Sequence, residues 1–144
     1  SRPAASTNSA KATIDELNLL AIPVALNFDQ TPGADGIVLK VYAGNRRQPQ
    51  PIPIESGTLE LLMFDGILKP NAQDNAPPLR VWSYKAGELK RYEMKTSIGT
   101  GYQIAAQWGE AKPTHDRVSI IARYLPPEGL TVLSAPSVIS VTGN

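Results

Sequence analysis

His115 is the only histidine of the chain, and its imidazole is the side chain best suited to acid–base chemistry near neutral pH. It lies in a Lys-Pro-Thr-His-Asp stretch, so that Asp116 follows it directly. A serine hydrolase also needs a nucleophile, which many such enzymes present in a Gly-x-Ser-x-Gly turn. Ser56, Ser97 and Ser134 stand outside that pattern. The sequence therefore predicts a surface-loop histidine, no catalytic residues and no enzyme.

Metal binding is the second chemistry to consider. The chain has no cysteine and one histidine, which excludes cysteine-ligated zinc, iron–sulfur clusters and sites built from several histidines. Asp29 and Asp35 frame a short stretch with carboxylates of the kind that calcium prefers. That stretch departs from the EF-hand pattern at Thr31 and Gly33 and has no glutamate at the twelfth position. Because its Pro-Gly and Asp-Gly pairs are typical of turns, we predict a turn, no metal site and no cofactor.

Neither the acidic residues nor the glycine-rich stretch forms a recognisable active site. Glycosidases use two carboxylates that face each other across a cleft, and the sequence pairs none of its acids in this way. The stretch from Gly99 to Gly101 lacks the third glycine and the following helix of a dinucleotide-binding loop. We therefore interpret it as the start of a strand.

A predicted β-hairpin is the part of the sequence that best supports ligand binding. The runs 79–84 and 88–92 flank Lys85, Ala86 and Gly87, and a three-residue turn with Gly87 in the left-handed conformation would join them. In that register aromatic and basic residues share an exposed face, on which sugar rings stack or a protein partner is anchored. The candidate ligand-binding residues are Trp82, Tyr84, Tyr92, Arg80 and Lys90.

The same hairpin has a second register, which would move its aromatic residues to the core. A two-residue turn at Ala86 and Gly87 shifts the pairing by one residue and packs Trp82 and Tyr84 near Leu89. Alanine is a poor residue for positive φ, so the turn chemistry favours the first register. The sequence leaves both registers open.

Apolar and polar residues alternate with a period of two along most of the chain, which is typical of half-buried β-strands. The clearest alternation assigns Tyr102, Ile104, Ala106 and Trp108 to the core, and residues 118–124 repeat it. No long helical segment separates these runs, so an all-β, antiparallel two-layer β-sandwich of about seven to nine strands is predicted. The other predicted strands span 22–29, 37–43, 58–65, 79–84, 88–94, 130–134 and 138–141.

Two segments depart from this alternation. Residues 13–16 match a capping box and predict one short N-terminal helix that ends before Pro23. Further on, Pro49, Pro51 and Pro53 alternate with other residues. In an extended strand they would remove the N–H donors along one side, which predicts an edge strand that pairs on its other side only.

The length and composition indicate one domain. A chain of 144 residues with 42% hydrophobic residues supports a single core, which we assign to residues 13–144. Residues 1–12 are small and polar and are predicted to be a flexible tether. The net charge of +1 comes without long charged blocks, which argues against nucleic acid as a partner. No apolar run reaches the length of a transmembrane helix, so no membrane span is predicted.

The strand spacing resembles that of a known class of bacterial domains. From residue 36 to residue 141, the short strands, the Gly101-Tyr102 start of a strand and the hairpin at 123–129 are similar to transthyretin-like and immunoglobulin-like sandwiches of secreted proteins. The polar stretch before a cysteine-free β domain also resembles the segment that follows the lipidated cysteine of envelope lipoproteins.

The resemblance implies a function and a compartment. Such domains are non-enzymatic interaction or structural modules, with a protein or glycan partner in the cell envelope. We therefore expect an extracytoplasmic protein, periplasmic, anchored to the outer membrane or secreted, with a lipid anchor upstream of Ser1. The alternative is a carbohydrate-binding module that uses the aromatic hairpin face.

Overall fold

A computed structural model describes residues 13–29, 33–69 and 77–141, and most of them lie in two antiparallel β-sheets. Within these residues a single short helix, α1 (Ala86–Leu89), is followed by a 3₁₀ turn (Lys90–Tyr92). The predicted all-β, two-layer antiparallel fold is therefore confirmed. The strands are β1 (Glu16–Ala21), β2 (Gly36–Gly44), β3 (Thr58–Asp65), β4 (Arg80–Lys85), β5 (Glu93–Thr96), β6 (Gly99–Gln107), β7 (Arg117–Leu125), β8 (Val132–Leu133) and β9 (Ser137–Ser140).

The strands divide into a four-stranded sheet A and a five-stranded sheet B. Sheet A has the order β1-β2-β6-β5, and sheet B has the order β4-β3-β7-β8, with β9 also paired to β7. The central pairs join distant parts of the chain, since Leu39 lies opposite Ile104 and Leu61 lies opposite Ala122. Long-range pairing, rather than a series of local hairpins, therefore builds the middle of each sheet.

The main core lies between the two sheets, where the inward-facing residues of their central strands meet. The alternation predicted for β6 is confirmed, because Tyr102, Ile104, Ala106 and Trp108 are all buried. The phenol of Tyr102 also accepts a hydrogen bond from the Ile54 N–H, at 2.8 Å. The other strands contribute Ile37, Leu39 and Val41 from β2, Leu59, Leu61 and Met63 from β3, and Val118, Ile120, Ala122 and Tyr124 from β7.

Sheet B is also apolar on part of its outer face. Leu62, Phe64 and Ile121 form a second buried cluster there, against which Leu68 packs. Strand β3 is therefore buried on both faces along much of its length, which explains why its sequence is a nearly continuous apolar run.

The predicted N-terminal helix is wrong, because its residues form β1. This strand pairs with β2 along its whole length, from Glu16 opposite Gly44 to Ala21 opposite Leu39. Its own inward residues are Leu17, which is buried, and Leu19, which is half-buried. Pairing with an available sheet edge has overridden the local capping signal.

The segment after β1 is not the regular strand that the sequence predicts. Val24 forms only an isolated bridge with Ser140, and the buried side chain here is Ala25 rather than those of Ile22 and Val24. The N–H of Ala25 donates to the carbonyl of Ser140 at 2.7 Å, and the N–H of Ser140 donates to the carbonyl of Pro23 at 2.8 Å. The chain thus crosses from the edge of sheet A to β9 of sheet B and covers that side of the sandwich.

The proline segment is also not the predicted edge strand. It makes one isolated bridge, in which the N–H of Ile52 donates to the carbonyl of Ala43 at 2.8 Å. Pro51 instead packs against Gly99, where a Cβ atom would come within 2.8 Å of the proline ring. The segment passes along the end of β2 and then leaves the sheet.

Residues 1–12, the predicted tether, lie outside the described residues, and the assignment of a single domain stays a prediction. None of the helices in the described ranges has the length and apolar character needed to cross a membrane.

Candidate functional site

The predicted aromatic hairpin does not form, because its second run, residues 88–92, lies in helix α1 and the 3₁₀ turn rather than in a strand. Strand β4 is the edge of sheet B and β5 is the edge of sheet A. Helix α1 and the 3₁₀ turn connect them instead of a tight turn. The carboxylate of Glu88 accepts a hydrogen bond from the Lys85 N–H at 2.8 Å, which caps the start of this helix.

Trp82 faces the core rather than solvent. It is 8% exposed, and its indole N–H donates to the carbonyl of Gln107 at 3.0 Å. The guanidinium of Arg80 lies 5.4 Å from the centre of the Trp82 ring and donates to the carbonyl of Trp108 at 2.8 Å. These two side chains therefore connect the edge strand β4 to the end of β6, between the sheets.

The two candidate tyrosines form a separate, half-buried pair. The rings of Tyr84 and Tyr92 lie edge to face with their centres 5.5 Å apart. Burial raises the pKa of Tyr84 to about 12, with a further contribution from Tyr92. Lys90 is exposed, and Leu89 is buried. The predicted exposed face is therefore wrong, and the reading in which these aromatics belong to the core is closer to the structure.

His115 lies in an exposed loop, as predicted, but its partner is Asp65 rather than Asp116. Its Nδ1 atom is 3.1 Å from Oδ1 of Asp65, and 64% of its side chain is exposed. The same carboxylate accepts hydrogen bonds from the N–H of His115 at 3.0 Å and from the N–H and hydroxyl of Thr114 at 2.9 Å and 2.6 Å. Partial desolvation acts to raise the pKa of Asp65, but these hydrogen bonds outweigh it and lower the pKa below its ordinary value.

This cluster holds a loop in place and is not arranged for nucleophilic catalysis. Asp65 is the last residue of β3, and its carboxylate accepts hydrogen bonds from two backbone N–H groups of the loop before β7. The hydroxyl of Thr114 already donates to Asp65 and lies on the Nδ1 side of the His115 ring, 3.4 Å away. A triad would need a hydroxyl at the opposite ring nitrogen.

The stretch considered for calcium is described only in part. Asp35 accepts a hydrogen bond from the Phe28 N–H at 2.7 Å, and this bond lowers the pKa of its carboxyl. Asp29 and Asp35 line a small cavity of about 220 Å³ together with Lys112. The described ranges contain no group of three or more His, Asp or Glu side chains that could hold a metal ion. The observed contact of the Asp35 carboxylate is therefore its hydrogen bond with the backbone of Phe28.

A groove at one end of the sandwich, which we call the end groove, has a volume of about 460 Å³. Its lining residues come from the stretches 13–14, 52–56 and 124–130. Volumes of this size are typical of ligand and peptide sites in proteins. Sequence reasoning missed it, because the three stretches meet only in the folded chain.

Hydrogen bonds and backbone restraints fix the walls of the end groove. The hydroxyl of Tyr124, at the end of β7, donates to the carbonyl of Ser56 at 2.8 Å and ties two of the stretches together. Gly57 has φ +83°, and a Cβ atom there would lie 2.5 Å from the carbonyl oxygen of Leu125. Pro126 and Pro127 follow with restricted backbones. The groove is thus formed before any ligand arrives.

The end groove combines apolar walls with negative charge. Ile14, Ile52 and Leu130 contribute apolar surface, and Leu130 is 90% exposed. Glu55 and Glu128 also line the groove, whereas none of its lining residues is Lys, Arg or His. Across the described ranges, the ion pairs involve other carboxylates. The groove is therefore suited to a ligand that is partly apolar and positively charged.

Comparison of the chain with known protein families, with curated proteins and with solved structures found no match. The resemblance to transthyretin-like and immunoglobulin-like domains stays a prediction beyond the two-sheet architecture itself.

Proposed function

We propose that this protein is a non-enzymatic interaction module that binds a protein partner through the end groove. The observation that carries the proposal is a preformed groove of about 460 Å³ with an exposed leucine, Leu130, at its edge. Exposed apolar side chains beside a rigid concave surface are typical of sites where one protein anchors another.

The polar groups of the end groove support binding rather than catalysis. Its hydroxyls include those of Tyr124, which is held by the Ser56 carbonyl, and of Ser56 itself. Activation of a serine requires an adjacent general base such as histidine or lysine. The lining residues include neither, and His115 is engaged with Asp65 elsewhere. The alternative of glycan binding on the aromatic hairpin has no comparable support, because Trp82 is buried.

The proposal includes an extracytoplasmic location in a bacterial envelope. The cysteine-free composition, the polar stretch 1–12 and the resemblance to envelope lipoproteins support it. Fractionation of cells that express the full-length gene product, followed by protease treatment of intact and permeabilised cells, tests it. Recovery of the protein in the cytoplasmic fraction would contradict the location and leave the binding proposal in place.

A charged substitution at the groove edge tests the binding function. In Leu130→Glu we expect loss of a specific partner that the purified wild-type protein retains from envelope extracts, because the carboxylate would have to be desolvated in the interface. The control is Leu133→Glu, at a leucine of β8 that is 47% exposed and outside the groove. Circular dichroism establishes that both variants are folded. Equal retention of the partner by both variants would contradict the proposal.

A further inference from the structure

The two carboxylates of the end groove indicate the chemistry of its partner. We infer that the groove binds an exposed segment of a partner protein in which an arginine or lysine is flanked by apolar side chains. This inference rests on the proposed function and names the ligand class of the same site.

Charge complementarity is the first argument. Glu55 and Glu128 lie among the apolar groups Ile14, Ile52 and Pro53, without a cation in the lining. Both glutamates are exposed, and a neutral apolar segment that covered either carboxylate would remove water from it without offering a partner, which is unfavourable. A guanidinium or ammonium group donates charge-assisted hydrogen bonds to such carboxylates, and a guanidinium can donate two N–H groups to one carboxylate at once.

The backbone of the groove argues for recognition through side chains. Pro53, Pro126 and Pro127 have no N–H group, so none of these three lining residues can donate to an added β-strand. The carbonyl of Ser56 already accepts from the Tyr124 hydroxyl. The prolines disfavour strand addition at their positions, and apolar contact and the two carboxylates favour recognition of side chains there.

The edge of the groove argues for a protein segment rather than a small cation. Leu130 is 90% exposed beside the groove, and Gly129 next to it has φ +107°. An ammonium-sized ligand held between carboxylates would leave this leucine in water. A segment that continues past the groove would cover this leucine and gain from the burial of its apolar side chain.

A random heptapeptide library displayed on phage provides a probe that does not presuppose the sequence of the partner. Selection on the wild-type protein, with subtraction on Leu130→Glu, should enrich peptides that carry Arg or Lys next to Leu, Ile, Val or Met. The strongest peptide is then synthesised with a fluorescent label, together with a version in which citrulline replaces arginine. We expect the citrulline version, and the double variant Glu55→Gln with Glu128→Gln, to weaken binding by about tenfold or more. The matched control is Glu110→Gln, at an exposed acid outside the groove, which should leave the affinity unchanged.

The outcomes separate this inference from the proposed function. Enrichment of neutral or acidic peptides that still require Leu130 would overturn the cationic ligand and keep the groove as a binding site. Failure to enrich any peptide relative to Leu130→Glu would overturn both. Competition by free agmatine or spermidine at the affinity of the peptide would show a small-cation site and overturn the protein segment as its occupant.

Discussion

Trp82 is expected to be a residue of the core whose removal destabilises the fold. It is 8% exposed and its indole N–H donates to the Gln107 carbonyl at 3.0 Å. Trp82→Ala should therefore lower the free energy of unfolding by about 3–5 kcal/mol, through the lost burial and the cavity that remains. Trp82→Phe keeps most of the apolar contact and should cost about 1–2 kcal/mol, because the carbonyl loses its donor. Urea unfolding followed by far-ultraviolet circular dichroism measures both.

The neighbour of Trp82 provides the control for this measurement. Val81 lies on the same strand, points to the outer face of sheet B and is 40% exposed. Val81→Ala should change stability by less than about 1 kcal/mol. A Trp82→Ala protein as stable as the Val81→Ala protein would show that the tryptophan lies on an exposed surface, as the hairpin prediction had it.

Asp65 should stabilise the fold in a manner that depends on pH. Its hydrogen bonds from Thr114 and His115 lower the pKa of its carboxyl in the folded protein, whereas in the unfolded chain the pKa is near 3.9. The unfolded state therefore binds the proton more readily, and the stabilisation is complete at neutral pH and decreases below about pH 5. We expect Asp65→Asn to lower the free energy of unfolding by about 1–2 kcal/mol at pH 7 and by less at pH 3.

Urea titrations at the two pH values measure the effect of Asp65. The control is Asp116→Asn, an exposed carboxyl close to the same loop, for which we expect less than about 0.5 kcal/mol at either pH. If the loss of stability in Asp65→Asn were the same at pH 3 and pH 7, the hydrogen bonds would not depend on the ionised carboxylate, which would contradict the predicted pH dependence.

At the scale of elements, Gly57 allows β3 to begin directly beneath the end groove. Its φ of +83° is strained for other residues, and a Cβ atom would meet the Leu125 carbonyl oxygen at 2.5 Å and the Tyr124 hydroxyl at 3.0 Å. Gly57→Ala should therefore cost about 2 kcal/mol or more. In contrast, Gly87 in α1 has nothing within 4 Å of its added Cβ, so Gly87→Ala should stabilise the protein by up to about 1 kcal/mol.

Thermal and urea unfolding of the two alanine variants measure this difference. The same substitution has opposite expected signs at the two glycines, which makes the pair its own control. A Gly57→Ala protein as stable as the wild type would mean that the turn before β3 and the adjoining wall of the groove adapt freely, contrary to a preformed groove.

The strands predicted well from the sequence are marked either by alternation or by turn residues at their ends. Strand β6 has one face toward the core and one toward solvent, and its alternating residues report this directly, whereas β7 is buried on both faces from Val118 to Ala122. The bounds predicted for β3, residues 58–65, also agree with the structure. The apolar run of β3 does not alternate, because the strand is buried on both faces. The glycines on either side of this short run nevertheless mark it as a strand.

The elements predicted wrongly are those whose conformation depends on distant partners. Residues 13–16 carry a helix-capping pattern, but β2 offers an edge that local chemistry does not reveal. The period-two spacing of Leu17 and Leu19 was the available sign of a strand. Likewise, the Glu88 carboxylate caps α1 by accepting a hydrogen bond from the Lys85 N–H. The local sequence does not reveal that β4 and β5 belong to different sheets, which excludes a hairpin between them. The end groove was missed for the same reason, since its walls converge from three stretches.

On the scale of the whole molecule, both flanks of the sandwich are covered by specific contacts. The backbone of Ala25 is bonded to that of Ser140 on one flank. Arg80 and Trp82 reach across to the end of β6 on the other. Covered flanks protect the unpaired edges that sheets otherwise expose.

The long-range pairing of β3 with β7 should also govern how the molecule folds. Joining Leu61 to Ala122 requires closing a long loop before the pairing gives any stability, so folding should take milliseconds to seconds. Ile120 of β7 and Ile139 of β9 are both fully buried, and replacing either by valine should cost about 1 kcal/mol. If the central pair forms in the transition state, Ile120→Val slows folding while Ile139→Val mainly accelerates unfolding. Stopped-flow refolding and unfolding in urea give both rates. If instead Ile139→Val slows folding and Ile120→Val mainly accelerates unfolding, β9 pairs before the central strands do, which would contradict this prediction.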